Sequence, residues 1–182
     1  MPLPPLEATT PPHLPYREQP WRATLNEVRE RFVDQAPTDQ QPKRAFLWKL
    51  LEAHATLVEK LFKGHRVRMW IDGGFLTHKD WEAPRDIDVV YLVPISEIKH
   101  ATTPKGIPLW TQSNVSSVLG SDGLTLAADC IKPGFGMIDA YVSPDNENLT
   151  LGWKKRWSSV KDANGNIIDG QHKGFVEVIL NG

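Results

Sequence analysis

Trp70-Ile71-Asp72-Gly73-Gly74-Phe75, followed by Asp86-Ile87-Asp88, is the stretch on which the reading of this fold turns. One apolar run ends on two adjacent glycines. A second, Ile87 to Val93, opens on two carboxylates that flank a single isoleucine. Residues i and i+2 of a strand share a face, so Asp86 and Asp88 are expected to project side by side. Carboxylates that close repel one another and are costly near a core unless a cation lies between them. Gly73 and Gly74 have no Cβ and can bring bare amides against a phosphate. Glycines for phosphate and paired aspartates for a divalent ion point together to chemistry on a nucleoside triphosphate.

The surrounding chain supplies a scaffold for these two runs. Leu25, Val28 and Phe32 recur at helical spacing after Thr24 and predict a short helix over 24–35, broken at Pro37. Phe46, Leu47, Leu50, Leu51, Leu57, Val58, Leu61 and Phe62 form a wide apolar stripe, predicting a long amphipathic helix from Pro42 to Phe62 that exits at Gly64. His54 falls beside that stripe and reads as a hydrogen-bonded, half-buried histidine. Val67–Asp72 reads as the first strand, with Gly73-Gly74 opening a short helix, and Ile87–Val93 as the second strand, stopped by Pro94. A helix is predicted over Ile95 to His100, another over Trp110 to Leu119, and a turn at Gly120–Gly123.

Gly136 to Val142 reads as a third strand, with Met137, Asp139 and Tyr141 on one face and Ile138, Ala140 and Val142 on the other. Trp153 and Trp157 stand one helical turn apart on a basic segment, Lys154-Lys155-Arg156. That pattern suits either a nucleic-acid surface or an amphipathic helix with its tryptophans in the core. Asn164-Gly165-Asn166 is a turn before a last strand, Phe175–Leu180. Asp162 and its neighbours start like a calcium loop, but Ile167 stands where that loop needs glycine.

With 182 residues, 40% hydrophobic and 24% charged, the chain suits one soluble domain over 23–182, of α+β (α/β) class with a small mixed sheet packed on helices. A net charge of -1 gives no global pull toward nucleic acid or an anionic membrane. Fifteen prolines are present, many in residues 1–22, which read as an extended, polyproline-like N-terminal arm. Cys130 is the single cysteine, so neither an internal disulfide nor a cysteine-based zinc site can form. The apolar runs are too short to span a bilayer and the proline-rich start does not suit a signal peptide, so a cytoplasmic location is expected.

The Gly-Gly turn, the spacer and the acid–apolar–acid triplet resemble the signature of the nucleotidyltransferase superfamily, which is typified by DNA polymerase beta. The tighter likeness is to small nucleotidyltransferase-like proteins of bacteria, phages and mobile elements. They share a Gly-Ser-Phe-type turn, a Pro-rich spacer into Asp-Ile-Asp, and a closing segment like Lys161 to Asn166 and Lys173 to Val178. The likeness spans Val67 to Val178 and departs at two places. Asp72 stands where an apolar residue is usual, and Gly74 stands where many members have serine.

The resemblance implies a polymerase-beta-like fold and transfer of a nucleoside monophosphate from an NTP, such as ATP, to a hydroxyl of a protein, an RNA or a small molecule. By the same likeness Asp86, Asp88 and Asp139 are the catalytic and metal-binding residues of a two-ion Mg²⁺ site, with Asp129 a lesser candidate for the third acid. The amides of Gly73 and Gly74 would position phosphates, with Lys79, Arg85 and Lys105 as candidate phosphate partners. A toxin–antitoxin or phage-related role follows from the same relatives, with a homodimer or an antitoxin-like partner completing the site. Two alternatives stand beside this reading. The acids could be solvated or paired with Arg85 or Arg68, or the fold could serve as a non-catalytic nucleotide- or partner-binding module.

Overall fold

A computed structural model describes residues 3–119 and 124–181, with the backbone alone for 114–119 and 124–129. Its centre is a mixed five-stranded sheet in the order β1-β9-β2-β3-β6. These strands are β1 (Trp21–Arg22), β2 (Val67–Asp72), β3 (Ile87–Val93), β6 (Ile138–Pro144) and β9 (Val176–Leu180). β2 runs antiparallel to both β3 and β9, while β6 runs parallel to β3. A hairpin of β4 (Gln112–Leu119) and β5 (Leu124–Ile131) leads into β6, and β7 (Ser159–Lys161) pairs with β8 (Ile167–His172) ahead of β9. The α+β class and the three principal strands match the sequence reading. The last strand starts at Val176, and β6 starts at Ile138 because Gly136 and Met137 belong to the turn before it.

The inner strands alternate between two faces, each covered by a helix. Helix α2 (Gln41–Leu61) carries Pro42 in its first turn and buries Leu47, Trp48, Leu51, Ala55 and Val58, a stripe at helical spacing. Phe46 and Leu57 of the predicted stripe face solvent instead. His54 is buried and joins the helix to the sheet. Nδ1 meets the Tyr91 hydroxyl at 2.8 Å and Nε2 meets the Leu109 carbonyl at 2.8 Å. Burial holds its pKa below the ordinary histidine value, against the pull of that carbonyl. On the opposite face lies α3 (Glu147–Trp157), whose Trp153 ring packs 5.2 Å from Tyr141 while Trp157 is buried against Phe175. The tryptophans of the basic segment are therefore packed against the domain rather than presented for base stacking.

α1 (Leu25–Arg29) begins with a capping box, in which Thr24 and Glu27 satisfy each other's orphan amides, and continues as a wider π turn through Asp34. The segment from Trp110 differs from its predicted helix. Gln112–Leu119 is strand, paired antiparallel with Leu124–Ile131. Asn114, Ser116 and Ser117 are poor helix interiors, and a partner strand satisfies the backbone better. The turn predicted at Gly120–Gly123 lies outside the described residues. The N-terminal arm lies against the domain. Leu3 and Leu14 are buried, the His78 amide donates to the Pro12 carbonyl, and His13 bridges Thr77.

Arg44, wholly buried in the first turns of α2, ties these parts together. Nη1 donates to the Phe32 carbonyl at 3.1 Å and the Phe75 carbonyl at 2.8 Å, Nη2 donates to the Thr77 carbonyl, and Nε donates to the Gln40 side chain at 3.2 Å. Burial lowers its pKa to about 10, so it stays charged at neutral pH. Arg44→Met is expected to cost ~3–5 kcal/mol, because it strands buried carbonyls on both the π turn and the glycine turn. Urea denaturation measures this, and a loss below ~1 kcal/mol would show the clamp to be dispensable.

Candidate active site

The register of three strands assembles an acidic row. Asp72 of β2 is the partner of Asp88 on β3, and Asp88 is the partner of Asp139 on β6, so the three carboxylates stand abreast on one face. Asp86, two residues before Asp88, joins the same face. Gly73 makes the close packing here possible. Its φ is +79°, and a Cβ on it would lie 1.8 Å from Asp88 Oδ2, so only glycine fits. The Gly73 amide is directed at the Asp72 carboxylate. Gly73 also opens the following 3₁₀ turn (Gly73–Leu76), in which the Gly74 carbonyl accepts from the amide and hydroxyl of Thr77.

Two lysines share the charge of the row. Lys132 Nζ lies 2.6 Å from Asp86 Oδ2 and 3.1 Å from Asp139 Oδ2. Asp139 Oδ1 accepts from the Thr111 hydroxyl at 2.8 Å. Partial burial works against the Lys132 charge, but bonding to the two carboxylates holds its pKa above the ordinary lysine value. Burial, then Asp139, raises the Tyr141 hydroxyl to about 12. Lys173 pairs with buried Asp72, whose pKa is pushed up by burial and pulled back by that ammonium. Asp88 alone of the row has no ion-pair partner among the described residues. Burial, and then the charges of Asp72, Asp86 and Asp139, push its pKa up to about 7 against the pull of Lys173.

Beside the row opens a cleft of about 380 Å³, reached by Gly73, Gly74 and Asp88. Its cations are Lys79, Arg156, Lys161 and Lys173, and Pro11 of the arm forms part of its wall. Of the predicted phosphate partners, Lys79 lines this cleft. Arg85 is mostly exposed and pairs with Glu82 at 2.7 Å, and Lys105 lines a different groove beside α2. Asp129 lies on β5, where the backbone alone is described.

Asp72, Lys132, Lys173, Thr111, Arg156 and Lys161 were not read from the sequence as parts of the site. Asp72 stood out only as a departure from an apolar position, and no local pattern marks a lysine that crosses to an acid on another strand.

The chain belongs to DUF6932, a family of unknown function. The family's profile matches residues 5–179, which takes in the arm, the acidic row and the cationic cleft. No curated protein and no solved structure matches the chain.

Among the described residues, no group of three or more His, Cys, Asp or Glu side chains is arranged to hold a metal ion; Lys132 stands between Asp86 and Asp139, and Lys173 pairs with Asp72. The pair Asp86 and Asp88 still fits a hard divalent ion, because Mg²⁺ commonly takes one or two carboxylates and completes its shell with water and phosphate. The unpartnered, mostly buried Asp88 is the observation that asks for such a cation.

Two outcomes are expected of this geometry. Gly73→Ala should destabilise the fold and abolish ligand binding, whereas Gly74→Ser should be tolerated. A Cβ at Gly74 meets only the flexible end of Lys79, at 3.2 Å. Equal thermal stability of the two variants would contradict this.

In metal-free buffer, Asp88 is protonated in both folded and unfolded chains below about pH 4. From there to about 7 the unfolded chain has released this proton and the folded chain has not, so stability falls as pH rises. Asp88→Asn should flatten that slope and raise unfolding free energy above pH 7 by ~2–4 kcal/mol. Urea midpoints measured across pH test it, and an unchanged slope would refute it.

Proposed function

We propose that this chain is a Mg²⁺-dependent nucleotidyltransferase on a polymerase-beta-like fold, moving a nucleoside monophosphate from an NTP to a hydroxyl of a protein, an RNA or a small molecule. The observation that carries the reading is Asp88, without an ion-pair partner among the described residues, abreast of Asp139 and two residues from Asp86, at the mouth of a cleft lined by four cations. A triphosphate carries about four negative charges, and Lys79, Arg156 and Lys161 offer three cations toward it, Lys173 being paired with Asp72. The glycine turn brings backbone to the cleft wall without side-chain bulk.

In this reading Asp86 and Asp88 hold the divalent ion, whose contribution when bound is to neutralise charge on the phosphates during an in-line displacement. The acceptor hydroxyl oxygen bonds to the α-phosphorus and its proton passes to solvent water, while the bond to the bridging oxygen breaks and pyrophosphate leaves with the electron pair. Lys79, Arg156 and Lys161 hold the departing phosphates. Asp139, oriented by Thr111 and Lys132, faces the acceptor side. Among the described residues no helix is long and apolar enough to cross a membrane.

The second reading is a catalytically inactive nucleotide- or partner-binding module on the same scaffold. It is favoured by one observation, the ammonium of Lys132 between Asp86 and Asp139. Incubation with labelled ATP, GTP, CTP and UTP, Mg²⁺ and cell lysate separates the two. The enzyme reading expects label transfer that Asp86→Asn and Asp88→Asn each reduce by ~100-fold or more. Nucleotide binding with no pyrophosphate released in any mixture would sink it and leave the binding module.

A further inference from the structure

We propose that Lys132 is a built-in cation of the site: its ammonium holds the position between Asp86 and Asp139, and the chain binds one divalent ion, at Asp86 and Asp88, rather than two. This rests on the metal-binding reading above and narrows it.

The hydrogen-bond pattern is unequal across the row. Both oxygens of Asp139 are taken, Oδ2 by Lys132 at 3.1 Å and Oδ1 by the Thr111 hydroxyl at 2.8 Å. Asp86 gives only Oδ2 to Lys132, at 2.6 Å, and its Oδ1 has no ion-pair partner among the described residues. Asp88 has no ion-pair partner among the described residues. A cation placed between Asp86 and Asp139 would meet the lysine charge at contact distance, whereas Asp88 makes no ion pair with Lys132.

Lys132 is held there by its backbone. The Lys132 carbonyl accepts from the Gly136 amide at 3.2 Å, and the Pro133 carbonyl accepts from the Ile138 amide at 3.2 Å. Gly134, Phe135 and Gly136 all have positive φ, at 60°, 59° and 86°, which folds the connection back on itself. The Met137 carbonyl then accepts from the Ile87 amide at 3.0 Å, tying this loop to the residue between Asp86 and Asp88. Lys132 thus starts from a backbone fixed to both strands whose carboxylates it bridges. The left-handed Phe135 side chain is 91% exposed, so its own packing does not account for its backbone conformation. Gly134 of the same turn lies against buried Ile138, which seats the turn on the strand that carries Asp139.

A lysine in that place supplies one positive charge without dissociating, and it keeps Asp139 oriented when no nucleotide is bound. The remaining position at Asp86 and Asp88 suits an ion that the two carboxylates hold on their own, with water in the places that phosphate oxygens take when a triphosphate binds.

Counting bound Mn²⁺ by the loss of the free-ion EPR signal at pH 8 tests the proposal on the intact chain, with no turnover needed. Wild type should bind one ion per chain and Lys132→Met two. Lys132→Arg should stay at one, and Lys132→Met combined with Asp139→Asn should return to one. Lys132→Gln, checked by circular dichroism, repeats the measurement with a polar side chain at this partly exposed position. Two ions in wild type, or one in both wild type and Lys132→Met, would overturn the role of Lys132 and leave the metal-binding reading standing. No bound ion in wild type would overturn that reading itself, and this inference with it.

Discussion

Four carboxylates on adjacent strands, with Asp88 in their midst, form the constraint from which the rest of this molecule follows. The β2–β3 and β3–β6 registers leave no choice about their proximity, since each is a partner or next-but-one neighbour of Asp88. Like charges at such spacing raise one another's proton affinity, and a half-buried setting strengthens the effect. The fold answers with Lys132 on one side, Lys173 on the other and a glycine under Asp88. A domain selected for stability alone would place apolar residues here. The retained charge is the physical reason a ligand is expected at this point rather than at the groove beside Arg17, Trp21 and Arg68.

Holding such a row requires a rigid support, and the opposite sheet face provides it. Val89, Tyr91, Val93, Ile138 and Ala140 are buried beneath α2, each removing apolar surface from water at ~25 cal/mol per Å². Arg44 then connects that helix layer to the turn that carries the glycines, through the carbonyls of Phe75 and Thr77. The position of the Gly73 turn is therefore set from the core, some distance from the acids it accompanies. On the site's own face, Glu177 accepts from both Trp70 Nε1 and Arg68 Nε, so the sheet continues as a satisfied polar layer away from the cleft.

Much of this was legible in the residues. The period of two in Ile87–Val93 and Gly136–Val142 placed Asp86 and Asp88 together and put Asp139 on the face shared with Tyr141. The stripe of α2 and the capping residue Thr24 located the helices, though Phe46 and Leu57 widened the stripe beyond what the core accepts. The β4–β5 hairpin was hidden because a short segment with mixed serine and valine satisfies either period over eight residues. The proline-rich arm read as free-standing because composition reports what a segment can bury by itself. Leu3 and Leu14 bury themselves against elements far along the chain.

The sequence by itself determined the acids, their spacing within β3 and the glycines, because those depend on local period and on the absence of a Cβ. Only the tertiary structure decided which strands lie abreast. That choice converted Asp72 from an odd polar residue into a member of the row. It also brought Lys132 and Lys173 across to acids 46 and 101 residues away in the chain. Register between strands is fixed by the joint packing of two sheet faces, a property that no segment carries alone. Charge pairing across strands inherits that dependence, so the counter-ions of the site could not be read before the fold.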